Sequence, residues 1–307
     1  MPKKYHGVIP PIITPVDENE NVDEKGFRQL LSHCADHGIH GMFVAGTNGE
    51  TMALTQEQRE KAIRIAIDEV GKRMPVMAGV MDSSTRRVID NIKRLEQMGG
   101  TCAVITSIFY ARHTSQDETV RHFERISRET NIDLVVYNIP PFTGLKLTAA
   151  TMNRIAKIDK VVGIKDSSGD FAEFQKLLRD HAADPELSVL QGATPAAAAS
   201  FLQGADGYVP SIAPLFPELF VQMYEAGTRG DIKRTVELNT LVAETSEILG
   251  MSKNATAANK FALSLLGFTN KRVIWPQDET TPEDEKAISA KVKTISEKLR
   301  ALSVLTK

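Results

Sequence analysis

Apolar residues along this chain gather in short unbroken runs about thirty positions apart. The runs read VIPPIIT (8–14), GMFVA (41–45), PVMAG (75–79), CAVIT (102–106), DLVVY (133–137) and VVGIK (161–165), followed by the weaker SVLQ (188–191) and DGYV (206–209). Runs of this length without polar alternation predict strands buried on both faces. The segments between them carry helical spacing instead. In the first, Phe27, Leu30, Leu31 and Cys34 share one face, and Gly38 stops the pattern. In the second, Thr55 and Gln58 stand at capping-box spacing ahead of a stripe of Ala62, Ile63, Ala66, Ile67 and Val70.

Strand and helix alternating through short loops imply parallel strands and right-handed crossovers. Eight such units predict the α/β class and a (β/α)8 TIM barrel. The rival, a doubly wound open sheet, would carry a glycine-rich phosphate turn after its first strand. Here that strand is followed by PVDENENVD, with no G-x-G. Past residue 229 the pattern is helical only, at 230–249, 254–267 and 280–302, the last preceded by a Pro-containing loop with Thr281 or Pro282 near its cap. The expected organisation is a barrel over residues 1–228, holding the functional site, and a C-terminal three-helix appendage over 229–307.

Composition narrows the partners. The 307 residues are 42% hydrophobic and 25% charged, with a formal net charge of −2, which offers no electrostatic case for nucleic acid or an anionic membrane. No apolar run approaches the roughly 20 residues that span a bilayer. The start, MPKKYHGVIPP, lacks the apolar stretch of a secretory signal. Cys34 and Cys102 both fall in apolar-patterned segments and read as core residues. The expectation is a disulfide-free cytoplasmic protein, in which the sequon at Asn254 stays unmodified.

Chemistry-bearing residues collect at the C-terminal ends of the predicted strands, where barrels build their sites. Thr47, Asn48 and Glu50 follow the second strand in GTNGE, and Tyr110 follows the fourth. Tyr137 ends the fifth, Lys165 the sixth, Gly192 follows the seventh and Ser211 the eighth. A lysine at a strand end usually snorkels to water. Held at a barrel mouth, it would instead be desolvated, its pKa lowered until the neutral amine attacks a carbonyl. A lysine and a phenol on adjacent strand ends can form an imine and move protons around it. A glycine-bracketed Thr-Asn turn can offer backbone N–H groups and a hydroxyl to a carboxylate. No cluster of His, Cys and carboxylates has zinc spacing, and neither G-x-x-x-x-G-K-[ST] nor G-x-S-x-G occurs.

GTNGE, YNIPPFTG and GIKDSSGD, in that order and spacing, resemble the signature of the dihydrodipicolinate synthase/N-acetylneuraminate lyase superfamily of pyruvate-dependent class I aldolases. The resemblance covers essentially the whole chain, helical tail included. It implies that Lys165 forms the Schiff base with the keto carbon of pyruvate and that Tyr137 is the general acid/base. It implies that Thr47 belongs to the proton relay and that Tyr110 is the relay tyrosine lent by a neighbouring subunit. Thr47 and Asn48 fall where the pyruvate carboxylate binds, and Val209 where a backbone carbonyl faces the imine. The family implies a homotetramer, a dimer of dimers, with no metal or cofactor beyond the covalent pyruvate imine.

Departures from the pattern narrow the substrate. Dihydrodipicolinate synthases carry an arginine for the second substrate's carboxylate where this chain has Phe142, and a phenyl ring makes no bidentate carboxylate contact. Sialic acid lyases carry an acidic pair where this chain has Thr194 and Pro195. Asn48 replaces a second Thr or Ser, which favours keto-deoxy sugar acid aldolase-like members. The expected reaction joins pyruvate reversibly to an aldehyde, giving a 2-keto-3-deoxy sugar acid or a 4-hydroxy-2-oxo acid. The rivals are a dihydrodipicolinate synthase using Arg112, an N-acetylneuraminate lyase, and a non-catalytic keto-acid binder. Glu50 is expected to hold its turn. Of the seven histidines, none has ligand spacing, although His113 lies beside Arg112 where an anionic substrate could meet both.

Overall fold

The computed structural model describes residues 3–305. Its eight strands are β1 (Gly7–Val8), β2 (Met42–Val44), β3 (Val76–Gly79), β4 (Cys102–Thr106), β5 (Asp133–Asn138), β6 (Val161–Asp166), β7 (Ser188–Gln191) and β8 (Gly207–Tyr208). All pair in parallel, in the order β1-β8-β7-β6-β5-β4-β3-β2. A parallel bridge between Pro11 and Phe43 joins the two ends into a barrel. β1 is shorter than the apolar run that predicts it because Pro10 and Pro11 have no N–H to give the ladder. The chain nonetheless stays extended. Ile9 donates its N–H to Tyr208 on one side at 2.8 Å, and Ile12 donates to Phe43 on the other at 2.9 Å.

Two apolar layers hold the barrel. One lies between sheet and helices and includes Leu30, Ile63, Ile92, Phe123 and Phe174. The other fills the barrel from Tyr5 at its base, through Met77, Val104 and Val135, to Tyr137 near its top. At the base the Tyr5 hydroxyl donates to Asp133 at 2.7 Å, and Lys4 reaches the same carboxylate at 2.6 Å. Cys102 lies in the inner layer and Cys34 in the outer, both buried as free thiols. Burial raises both pKa values, that of Cys102 to about 12.

An irregularity in β6 decides where Lys165 points. Leu134 pairs with Val161 but Val135 pairs with Gly163, so β6 carries one extra residue against β5. Val162 packs on the inner layer, Gly163 faces Val135 there, and Ile164 returns to the outer layer. A one-residue slip inverts every later side chain. Without it, strict alternation would send Lys165 out among the helices. With it, Lys165 enters the barrel opposite Tyr137.

Helices Glu24–Asp36 and Gln56–Val70 form where the apolar stripes predict them. Thr55 caps the second by accepting from the Gln58 N–H, but the Gln58 side chain accepts from the Val22 N–H at 2.7 Å instead of closing a capping box. The tail helices are Ile232–Ser246, Ala255–Ser264 and Pro282–Ala301. Thr281 caps the last with a full capping box. Among the described residues no helix is long and apolar enough to cross a membrane.

Candidate active site

Lys165 is 3% exposed, although its ammonium sits close to the barrel's open end. Its Nζ lies 3.7 Å from the centre of the Tyr137 ring and 4.8 Å from that of Phe43. Among the described residues it forms no ion pair within 4.0 Å. Burial is therefore uncompensated by any anion and lowers its pKa to about 7. The aromatic faces attract the charged form and resist that shift. Burial prevails because a desolvated ammonium loses more than two ring faces return.

Burial acts on Tyr137 in the opposite direction, raising its pKa to about 12, while the Ser167 and Thr47 hydroxyls beside it pull the value down. At neutral pH the pair is thus an amine with a large free fraction and a phenol that keeps its proton. Gly192 makes room for this arrangement. A side-chain carbon at that position would fall 2.0 Å from Ser167 Oγ. Behind the lysine, Asp166 anchors the turn out of β6: it accepts from the Asn138 amide at 2.8 Å and from the Ser168 backbone N–H and hydroxyl at 3.1 and 3.0 Å.

The Gly46–Glu50 turn after β2 is held from several sides. Gly49 and Thr51 donate N–H groups to Gly46, and Glu50 donates to Thr47. The Thr47 and Asn48 N–H groups make no backbone hydrogen bond among the described residues. Two non-glycine residues flanking the turn are left-handed, Ala45 at φ 51° and Glu50 at φ 54°. Such conformations cost of order 1–3 kcal/mol each and cluster where a site over-determines its backbone. The Asn48 side chain is occupied structurally: its amide donates to the Pro11 carbonyl at 2.6 Å, and its oxygen accepts from Asn259 at 3.2 Å. Glu50 is fully buried in an ion pair with Lys260, and its other oxygen accepts from the Ile274 N–H at 2.9 Å.

These groups surround one cavity of about 280 Å³. It is lined by Lys165, Tyr137, Thr47, Asn48, Phe142, Gly192, Val209 and Ser211, together with Ser167 and tail residues Leu249, Ala255 and Thr256. Among the residues given a catalytic or substrate-binding role by the resemblance or the strand-end reading, Lys165, Tyr137, Thr47, Asn48, Phe142, Gly192, Val209 and Ser211 therefore meet there, and only Tyr110 does not. Tyr110 is 97% exposed, with φ 66°, and lines neither this cavity nor the larger one beside it. Its neighbour Phe109 lines the larger cavity instead.

The larger cavity, about 830 Å³, shares Thr47, Ile139, Phe142, Ala255 and Thr256 with the smaller and forms its vestibule. Its wall runs from apolar Met81 and Phe109 to polar Thr143, Lys253, Gln277 and Asp278. Phe142 stands at the shared mouth on the short helix Pro140–Thr143 and is 64% exposed. Arg112 lies over Gly144 rather than in either cavity, and His113 pairs with Thr119 at 2.9 Å. Thr194 binds the buried Tyr208 hydroxyl at 2.8 Å, outside both cavities. Among the described residues no three His, Cys, Asp or Glu side chains converge as metal ligands.

What sequence reading misses here is the tail's share of the site. Asn259 and Lys260 lie in an alanine-rich helical stretch, more than 200 positions from the turn they touch. Ser167 is concealed by the serine-rich turn that follows Asp166 at the end of β6.

Over 289 residues the chain is 32% identical to an uncharacterized DapA-like lyase of Halobacterium salinarum, covering 94% of this chain and 93% of that protein. Over 285 residues it is 30% identical to the 4-hydroxy-tetrahydrodipicolinate synthase of Kosmotoga olearia, covering 92% and 96%. The solved dihydrodipicolinate synthase of Bacteroides thetaiotaomicron superposes with a TM-score of 0.90 at 28% identity, over 96% of this chain and 100% of that one. The dihydrodipicolinate synthetase family profile matches residues 4–295, and the chain belongs to that family.

Proposed function

We propose that this lyase is a class I aldolase that joins pyruvate reversibly to a hydroxylated aldehyde, giving a 2-keto-3-deoxy sugar acid or a related 4-hydroxy-2-oxo acid. The observation that carries this reading is Lys165: a fully buried amine without an anionic partner, its pKa lowered to about 7, level with Tyr137 in a small polar-rimmed cavity. A binding protein has no use for an amine held at such cost.

In this reading the pyruvate carboxylate takes the unpaired N–H groups of Thr47 and Asn48 and the Thr47 hydroxyl. The neutral Lys165 amine attacks the keto carbon to give a carbinolamine; the Tyr137 hydroxyl protonates its oxygen, water leaves, and a cationic imine forms beside the Tyr137 phenolate. That cation withdraws electrons from the methyl carbon, whose proton passes to the Tyr137 phenolate as the enamine forms. The enamine carbon attacks the aldehyde carbonyl, and the Tyr137 hydroxyl gives the new alkoxide its proton. Water then adds to the imine carbon, its released proton returns to the Tyr137 phenolate, and collapse of the carbinolamine frees Lys165. The vestibule's polar wall suits a chain of hydroxyl groups on the aldehyde.

Relatives named as 4-hydroxy-tetrahydrodipicolinate synthases support condensation of pyruvate with aspartate semialdehyde as the second reading. Phe142 weighs against it, since a ring at the cavity mouth offers a carboxylate no donor. We further infer a cytoplasmic homotetramer in which Tyr110 serves a neighbouring subunit's cavity.

Incubation with pyruvate and sodium borohydride, followed by peptide mass spectrometry, tests the chemistry. The expected product is a reduced pyruvate adduct on the Lys165 peptide. A folded protein without the adduct overturns the imine assignment. With the adduct in hand, a panel of sugar-derived aldehydes against aspartate semialdehyde selects the substrate. Faster turnover of the semialdehyde would favour the synthase.

A further inference from the structure

We propose that Asn259 and Lys260, on helix Ala255–Ser264 of the tail, are positioning residues that set the affinity for pyruvate by fixing the Thr47–Asn48 turn. The inference rests on the pyruvate reading above and assigns a role to two side chains that touch no reacting atom.

Asn259 is fully buried and spends both amide hydrogens across the fold, on Asn48 Oδ1 at 3.2 Å and on the Ser211 carbonyl at 3.1 Å. Both recipients line the Lys165 cavity, one on each side of it in the barrel sequence. The amide oxygen of Asn259 is buried with no hydrogen-bond partner among the described residues. The donor end is what the site uses. With Asn48 Nδ2 already held by Pro11, the donation from Asn259 completes a clamp on the Asn48 side chain and leaves its backbone N–H unbonded and aimed by the turn alone.

Lys260, the next residue, reaches the other end of the same turn. Its ion pair with Glu50 is buried on both sides. Burial lowers the pKa of Lys260 and the Glu50 carboxylate opposes that shift. Buried ion pairs are poor stabilisers beside apolar residues of equal size, and their best-attested use is to fix one geometry. Here the geometry fixed is a left-handed Glu50 at the close of the turn, with Ile274 from the tail on the carboxylate's second oxygen. The tail therefore grips the turn at both Asn48 and Glu50, and the two N–H groups offered to the carboxylate, those of Thr47 and Asn48, lie at and directly before the first of these holds.

Reductive trapping against pyruvate concentration tests the role without knowledge of the aldehyde. Asn259→Ala removes the donor. Asn259→Leu also removes it but fills nearly the same volume, should the alanine variant melt early. The double variant Glu50→Gln/Lys260→Met removes both charges while keeping shape and an oxygen for Ile274. For each, the half-saturating pyruvate concentration should rise about tenfold, the value of one or two hydrogen bonds. The trapping rate at saturating pyruvate should stay within about threefold of wild type, and the melting temperature of the double variant should remain close to it, since that variant leaves no charge buried alone. An unchanged half-saturation in folded variants overturns the positioning role while leaving the imine chemistry intact. A fall in the saturated rate with no change in half-saturation also overturns it. Failure of the wild-type protein to trap pyruvate removes both readings together.

Discussion

Lys165 and Tyr137 share one physical cause and part in opposite directions. Burial penalises whichever form is charged, so the amine is pushed down to about 7 and the phenol up to about 12. The pH dependence of trapping follows directly. Below pH 7 the amine is protonated, and the rate of imine formation at limiting pyruvate should fall tenfold for each unit of acidity. Between about pH 8 and 10 the rate should be flat, because the amine is free and Tyr137 keeps its proton. Borohydride trapping rates measured from pH 5.5 to 10 would show a single acidic limb. A limb centred near 10 would mean that Lys165 is solvated in the working enzyme. The lysine's importance was readable from the run VVGIK, since a strand buried on both faces that ends in Lys demands a reason. The device that turns it inward was not readable. Nothing in VVG marks Val162 as an extra residue, and only pairing with β5 reveals the slip. A glycine within a strand is at most a hint of a bulge.

Strands and helices were legible in proportion to how self-contained their signals are. β4 and β7 begin and end where CAVIT and SVLQ do, the first an almost wholly apolar run and the second a Val-Leu pair between Ser188 and Gln191. β1 was over-read, since its prolines interrupt the ladder without bending the chain away from it. The four-residue helix Pro140–Thr143 that carries Phe142 was not foreseen, because a segment so short has no periodicity to detect. Helix Ala255–Ser264 was foreseen as an element of an appendage, but its contribution to the cavity was not. Its key contacts depend on how the tail folds back over the barrel mouth. That helix also stands to be the most sensitive one in the tail. Lys260→Met alone would strand the Glu50 carboxylate in a dry site, at a cost of about 3–5 kcal/mol. Adding Glu50→Gln should recover most of the loss, since no charge is then left buried. Urea unfolding of the single and double variants checks this. Equal stability of the two would mean that water reaches Glu50 and that the pair is less enclosed than its geometry indicates.

Tyr110 raises a question that one copy of the chain does not answer by itself. An aromatic side chain that is 97% exposed loses the burial that normally stabilises a ring, and a tyrosine at φ 66° adds backbone strain. Both costs are offset if the ring is received by a second copy of this chain, whose Tyr137 and Thr47 then gain the phenol as a third relay member. The resemblance to pyruvate aldolases implies that arrangement, and the positions here are compatible with it: Lys165, Tyr137 and Thr47 line the chain's own cavity, and of the four residues given catalytic roles Tyr110 alone lies outside it. Subunit complementation separates a shared tyrosine from one that is merely exposed. Tyr110→Phe and Lys165→Ala should each be nearly inactive as pure proteins, the first for want of the relay and the second for want of the amine. After dissociation and co-assembly of the two, some cavities would combine an intact Lys165 with an intact Tyr110 from the facing copy, and aldol cleavage should return. Activity that stays absent in a mixture shown by native mass spectrometry to contain hybrids would mean that Tyr110 is not exchanged between cavities. A Tyr110→Phe protein as active as wild type would remove the residue from the chemistry altogether, leaving Tyr137 and Thr47 to move the proton within a single subunit.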